Sequence, residues 1–175
     1  MPFVTHKHHA QSLSAQMSGH DTTHACAAPD AALRAAMFES MSAPGAQAPA
    51  ERLSTLLQSE QAAVRGAAIA ALQLMGEDAR EAVDAILSHP DVDLRLLGVE
   101  VMRAWPTRSA MPRLERLLND DQHVNVCLAA LDVAAVLGAP VLLPAMGRVR
   151  DRFSDNDILC FAEEQARFRI LARRT

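Results

Sequence analysis

Histidine and cysteine, two residue types that often hold transition metals, cluster at the start of the chain. Within residues 1–28 the candidate ligands are His6, His8, His9, His20, His24 and Cys26. The same segment is rich in serine and has no sustained apolar period, so it offers no rigid frame that could fix ligand geometry. We therefore predict a disordered His/Ser-rich tail over 1–28 without a folded metal site. A metal-binding or export role for this tail stays open.

Sequence patterns that signal catalysis are missing from the chain. It contains no GxSxG nucleophile elbow, no GxxxxGK[ST] phosphate loop, no GxGxxG and no HExxH. The acid pairs Asp120-Asp121 and Glu163-Glu164 fit turn chemistry and a solvated helix surface better than general acid–base work. The sequence therefore predicts no catalytic residue, no cofactor and no metal, and the chain is expected not to be an enzyme.

Arginines in the second half of the chain are the one signal that points to a partner. Residues 1–100 carry a formal charge of −6 and residues 101–175 carry +2, within a total of −4. Guanidinium groups suit carboxylate and phosphate ligands. The candidate partner-binding residues are Arg108, Arg113, Arg116, Arg148, Arg150 and Arg152. The alternative is a set of solvated surface charges, some paired with Glu115 and Asp151.

Composition narrows the class of protein. The net charge of −4, the single lysine (Lys7) and an aromatic content of 3% argue against a general polyanion binder or a base-stacking surface. Cys26, Cys127 and Cys160 are too widely spaced for a zinc site and too few for a disulfide framework. Without a long apolar stretch or a secretory signal pattern, the sequence predicts a cytoplasmic protein with reduced thiols and no membrane contact.

A repeated pattern of about 30 residues predicts an all-α fold. The anchor residues Leu33, Val64, Leu94 and Val126 lie 31, 30 and 32 positions apart, and each precedes apolar residues at helical spacing. Each of these first helices is followed by a second helix. The predicted second helices are 50–57, 79–87, 109–118 and 141–150, and a terminal helix is expected over 155–173.

The repeated opening Pro-Asp-x-x-[Leu/Val]-Arg, as in Pro90-Asp91-Val92-Asp93-Leu94-Arg95, resembles that of HEAT-like repeats. More narrowly, the repeats look like the short bacterial form that is also found in phycobilin lyases. It implies a right-handed α-solenoid of about four helical hairpins over 29–175, with second helices on the concave side and a C-terminal capping helix.

The resemblance also assigns structural roles to the repeated polar residues. The aspartates Asp30 and Asp91 would cap first helices. The arginines Arg34, Arg65 and Arg95 would sit at repeat junctions and bond carbonyls or acids there. Cys127 stands where the fourth arginine would be, so the chain departs from the pattern at that junction.

Three functions follow from these observations. The first is a non-enzymatic scaffold or adaptor that binds a protein or peptide partner, with acidic groups, on the concave face. The alternatives are an enzyme or enzyme subunit of the bilin-lyase-like class, and a HEAT-like protein that binds nucleic-acid phosphates. Nucleic acid is the less favoured partner because of the negative net charge, and the sequence leaves the oligomeric state open.

Overall fold

The computed structural model describes residues 49–173, and within them every regular element is helical. The helices are α1 (Pro49–Leu56), α2 (Ala62–Met75), α3 (Arg80–Leu87), α4 (Val92–Met102), α5 (Thr107–Asp120), α6 (Val124–Leu137), α7 (Leu143–Arg152) and α8 (Asp157–Ala172). Short 3-10 turns at Gly76–Ala79 and Pro140–Leu142 precede α3 and α7. The predicted all-α class is confirmed. The His/Ser-rich tail and the helix expected after residue 29 lie outside the described residues.

Predicted and observed helices agree at both ends to within two residues for α5 and α8. Two of the predicted stops are glycines with positive φ, Gly76 at 54° and Gly138 at 64°. A residue with a Cβ rarely adopts this backbone conformation, so glycine ends α2 and α6 at little cost. The N–H of Gly138 donates to the Ala134 carbonyl at 3.0 Å and closes the last turn of α6.

The predicted aspartate cap is confirmed at the start of α4. Asp91 has an extended backbone, and its Oδ1 accepts from the backbone N–H of Asp93 at 2.9 Å. A cap of this kind contributes about 0.5–2 kcal/mol. The equivalent Asp30 lies outside the described residues.

Alternate helices pack into two layers. The first layer consists of α2, α4, α6 and α8. In it α2 contacts α4, α4 contacts α6, and α6 contacts α8. In the second layer α1 contacts α3, and α5 contacts α7. One continuous cluster of buried side chains joins the layers, with Leu72, Met102, Leu114, Leu131 and Met146 among its fully buried members.

The most extensive contacts between the layers join each second-layer helix to the first-layer helix that follows it: α1 to α2, α3 to α4, α5 to α6 and α7 to α8. The sequence pattern, by contrast, grouped each second helix with the first helix before it. The approach is closest at Gly98 of α4, where an added Cβ would lie 2.8 Å from Leu87 Cδ2 and 2.9 Å from Ile86 Cγ2. Glycine at this position therefore lets α3 and α4 pack closely.

Trp105 is buried, as predicted from its repeat partners Met75 and Leu137, and its Nε1 donates to the Leu72 carbonyl at 3.4 Å.

None of the helices in 49–173 combines the length and apolar content that crossing a bilayer requires.

Candidate partner-binding surface

Arg113 joins the second-layer helices α3 and α5. Its Nε and Nη2 donate to the two carboxylate oxygens of Asp84 at 2.9 and 2.8 Å, and its Nη1 donates to the Ser109 carbonyl at 2.7 Å. The guanidinium carbon also lies 5.3 Å from the centre of the Trp105 ring, a cation–π distance. All three nitrogens are used and the side chain is only 13% exposed. Arg113 is therefore mainly a link between helices.

Arg116 and Arg148 lie nearby with donors to spare. Arg116, one helical turn after Arg113, approaches Asp84 only to 3.7 Å and is 45% exposed. Arg148 on α7 uses its Nε to donate to the amide oxygen of Asn119 at 2.8 Å. The terminal nitrogens of Arg148 have no partner within residues 49–173. Arg116 therefore keeps donors beyond its long contact with Asp84, and Arg148 keeps its terminal nitrogens, for an anionic group.

Arg152 is held by backbone carbonyls at the end of α5. It donates to the carbonyls of Leu118 at 3.0 Å, Asn119 at 2.6 Å and Asp121 at 2.9 Å. Because a helix end leaves carbonyls without partners, a guanidinium placed here satisfies them. Arg152 lies one helical turn beyond Arg148, and both contact Asn119.

Four of the six predicted arginines lie on the neighbouring helices α5 and α7, and we call this set the arginine band: Arg113, Arg116, Arg148 and Arg152. Arg113 and Arg116 contact the carboxylate of Asp84, whereas Arg148 and Arg152 contact Asn119. The predicted alternative partners Glu115 and Asp151 are exposed, and no band arginine contacts them within 49–173. The band therefore carries more guanidinium than carboxylate charge.

The other two predicted arginines lie apart from the band. Arg108 is exposed at the start of α5 and has no hydrogen-bond or ion-pair partner within 49–173. Arg150 turns towards α8, where it contacts Glu163 at 3.4 Å and donates to Glu164 at 2.7 Å. The hydrogen bond to Glu164 and the charge of Glu164 raise the pKa of Arg150, so the guanidinium stays charged in this ion pair.

Glu163 corrects one sequence interpretation. The Glu163-Glu164 pair was expected to be solvated, but Glu163 is fully buried at 0% exposure. Arg150 on α7 and Arg167, one turn further along α8, both contact the Glu163 carboxylate. Arg167 Nε donates to this carboxylate at 2.9 Å. A buried carboxylate needs such partners because burial without them costs several kcal/mol.

The outer side of the first layer carries charges that largely cancel one another, and the sequence reasoning did not identify them. Arg103 donates to Glu100 and to Asp132, each at 2.8 Å, and Arg169 approaches Asp132 at 3.8 Å. The hydrogen bonds that Arg103 donates to Glu100 and, to a smaller extent, to Asp132 raise the pKa of Arg103. The interval of 29 residues between Arg103 and Asp132 matches the repeat and is the signal that could have revealed this pair. Unlike the arginine band, this surface has acids in balance with its arginines.

The remaining titratable residues singled out in the sequence do not form a cluster. Cys127 is buried as predicted, whereas Cys160 is half-buried. His89 and His123 lie at turns as expected, but both are half-buried instead of exposed. Within residues 49–173 no three His, Cys, Asp or Glu side chains are grouped closely enough to hold a metal ion.

The chain was compared with protein-family models, with curated proteins and with solved structures, and none of the three comparisons found a match. Function must therefore be inferred from the chain's own side chains. Of these, the arginine band is the set whose chemistry points most directly to a partner.

Proposed function

We propose that this protein is a non-enzymatic α-solenoid scaffold that binds an acidic segment of a protein or peptide along the arginine band. The solenoid is supported by bonds between neighbouring helices of one layer, which recur at intervals close to the repeat. In the second layer Asp84 pairs with Arg113 and Asn119 with Arg148, both 29 residues apart. In the first layer the Gln73 side chain donates to the Glu100 carbonyl, 27 residues on. Such regular intervals are expected when repeats stack side by side.

The observation that carries the proposal is the excess of guanidinium over carboxylate on α5 and α7. Asp84 pairs with Arg113 and Arg116 only, no carboxylate within 49–173 contacts Arg148 or Arg152, and Arg116 and Arg148 keep terminal donors available. A carboxylate can accept two parallel N–H bonds from one guanidinium, which gives geometric specificity as well as attraction. A segment carrying two or more acidic side chains would pair with both exposed arginines.

The energetics of these contacts favour recognition over high affinity. Exposed ion pairs contribute about 0.2–1 kcal/mol each, and they raise association rates and select against wrong partners. Arg113 and Arg152, already fixed by internal bonds, hold positive charge in place beside the two free guanidiniums. A rigid arrangement of this kind reduces the entropy lost on binding.

Selection from a displayed library of random peptides tests the proposal. We expect the wild-type chain to enrich peptides rich in Asp and Glu, and the Arg116→Glu/Arg148→Glu variant to lose them. Arg108→Glu is the matched control, because it reverses an exposed arginine that lies apart from the band and from α8. No acidic enrichment, or equal binding of the enriched peptides by the double variant, would contradict the proposal.

Nucleic-acid phosphate is the second candidate, because guanidinium groups also bind phosphate oxygens. Electrophoretic shifts of single- and double-stranded oligonucleotides at low salt test it directly. Retardation that weakens steeply with salt and depends on Arg116 and Arg148 would favour nucleic acid over a peptide. The bilin-lyase-like alternative remains a prediction from the resemblance.

A further inference from the structure

The outer face of α8 carries large apolar side chains. Ile158 is 71% exposed, Phe161 63%, Phe168 70% and Leu171 43%. At 100° per residue these four side chains fall on one side of the helix, opposite the buried Leu159 and Ile170. The expected capping helix would have a polar outer face, since that is what ends a repeat stack in water. The outer face of α8 differs from that expectation.

The four exposed residues are arranged symmetrically along α8. Ile158 and Leu171 lie equally far from the midpoint between Glu164 and Gln165, and so do Phe161 and Phe168. A surface used by both members of a two-fold dimer must be complementary to itself. Antiparallel pairing of two α8 helices about this midpoint sets Phe161 of one copy against Phe168 of the other, and Ile158 against Leu171.

The charges of α8 suit the same antiparallel pairing. Its first turn contains Asp157 and its last turn contains Arg169. Antiparallel pairing brings the acidic turn of each copy beside the basic turn of the other, and it also aligns the two helix dipoles favourably. At the midpoint, Glu164 is already paired with Arg150 at 2.7 Å. The two copies of Glu164 therefore meet as neutralised ion pairs.

The apolar area is sufficient for a specific interface. If a fully exposed large side chain presents about 200 Å², the exposed fractions of these four give about 500 Å² per copy. Two copies would bury about 1,000 Å² through these side chains alone, which reaches the lower end of specific protein–protein interfaces. A patch of about 500 Å² is comparable to the largest apolar patch on a typical monomer, and such patches are often functional.

We propose that the outer face of α8 is a homodimer interface, in which two copies of this chain pair their α8 helices antiparallel about the Glu164–Gln165 midpoint. The proposal does not depend on the arginine band, which lies on α5 and α7. A dimer would present two such bands, and a partner with two acidic segments would gain avidity.

Sedimentation velocity on the full chain, from about 1 to about 100 μM, tests the pairing. We expect the wild type to dimerise across this range. Phe161→Ser/Phe168→Ser should weaken the dimer by at least about 100-fold, because it removes the central aromatic contacts from both copies. Leu74→Ser is the matched control, since Leu74 is an exposed apolar residue on α2. A wild type that stays monomeric, or a double variant that still dimerises, overturns the proposal.

The register has its own test, which also controls for misfolding of the phenylalanine variant. In a chain with Cys26 and Cys160 replaced by serine, Gln165→Cys should form a disulfide-linked dimer under mild oxidation because it lies next to the two-fold axis. Gln58→Cys, exposed in the turn after α1, should stay monomeric under the same conditions. Equal cross-linking of both variants, or of neither, contradicts antiparallel pairing at this midpoint.

Discussion

Arg152 donates to the Sγ of Cys127 at 3.6 Å, and both side chains donate to the carbonyl of Asp121. Asp121 lies six residues before Cys127. In the two preceding repeats an arginine at the position of Cys127 makes the equivalent bond: Arg65 donates to the Ser59 carbonyl and Arg95 to the His89 carbonyl. At the fourth repeat the guanidinium therefore comes from the following second-layer helix and fulfils the same structural role.

Loss of Arg152 should destabilise the protein. Arg152→Ala leaves the carbonyls of Leu118, Asn119 and Asp121 without a charged donor, and bonds to charged groups contribute about 1.5–3 kcal/mol each. Water hydrogen-bonds to the released carbonyls and recovers part of this free energy. We therefore expect Arg152→Ala to lower the free energy of unfolding, measured in urea, by about 2–4 kcal/mol. Arg148→Ala, which removes one exposed bond, should cost less than about 1 kcal/mol. Equal losses for the two variants would contradict the structural role of Arg152.

The buried carboxylate of Glu163 gives a second prediction. Glu163→Gln keeps the shape of the side chain but removes its charge and replaces one of its two accepting oxygens with an amide donor that faces Arg150 or Arg167. Both arginines are partly exposed, so solvent screening reduces the cost to about 2–3 kcal/mol, measured by urea unfolding. Glu164→Gln, next in the chain but exposed, should cost about 1 kcal/mol or less. A smaller loss for Glu163→Gln than for Glu164→Gln would contradict the burial of Glu163.

Two helical glycines should respond to alanine with opposite signs. Gly98→Ala places a Cβ within 3 Å of the Leu87 and Ile86 side chains, so these side chains or the two helices must shift, at a cost of about 1–3 kcal/mol. Gly66→Ala meets nothing within 4 Å on α2 and should stabilise the protein by about 0.5–1 kcal/mol through helix propensity. Thermal unfolding of the two variants beside the wild type measures both effects. Stabilisation by Gly98→Ala would rule out close packing of α3 on α4.

Cys127 should be unreactive at neutral pH. Burial raises the pKa of its thiol and outweighs the opposing effect of the Arg152 guanidinium, so little nucleophilic thiolate forms. Alkylation by iodoacetamide, followed by mass spectrometry of the peptides, should therefore modify Cys160 well before Cys127. Because its pKa is raised, the Cys127 thiol keeps its proton to a higher pH in the folded state than in the unfolded chain. The contribution of this thiol to stability is therefore complete below the ordinary thiol pKa and is lost as the pH rises above it. Faster labelling of Cys127 than of Cys160 would contradict this account.

The helices could be predicted from the sequence because each depends on a local pattern. Apolar residues at helical spacing, the glycine stops Gly76 and Gly138, and the Asp91 cap act within one or two turns of chain. The burial of Trp105 could be predicted as well, since its repeat position is shared with apolar residues. Predicting these features does not require knowledge of which helices become neighbours.

The partners of the arginines could not be predicted, because each pair joins helices that are distant in sequence. Arg113 meets Asp84 across 29 residues, and Arg152 reaches the end of α5 across more than 30. The burial of Glu163 likewise depends on arginines from two helices. Charge type and spacing identified the region of the arginine band, but the packing of α5 against α7 decided which arginines stay free.

The affinity of one acidic peptide for three forms of the chain tests the proposed function most directly. Fluorescence anisotropy would follow a labelled peptide, taken from the displayed library, as it is titrated with the wild type, Arg116→Glu/Arg148→Glu and Arg108→Glu. We expect the Arg108→Glu control to bind like the wild type and the double variant to bind at least about 10-fold more weakly, as two lost ion pairs of about 0.7 kcal/mol each would give. Equal affinity for all three forms would contradict binding at the arginine band.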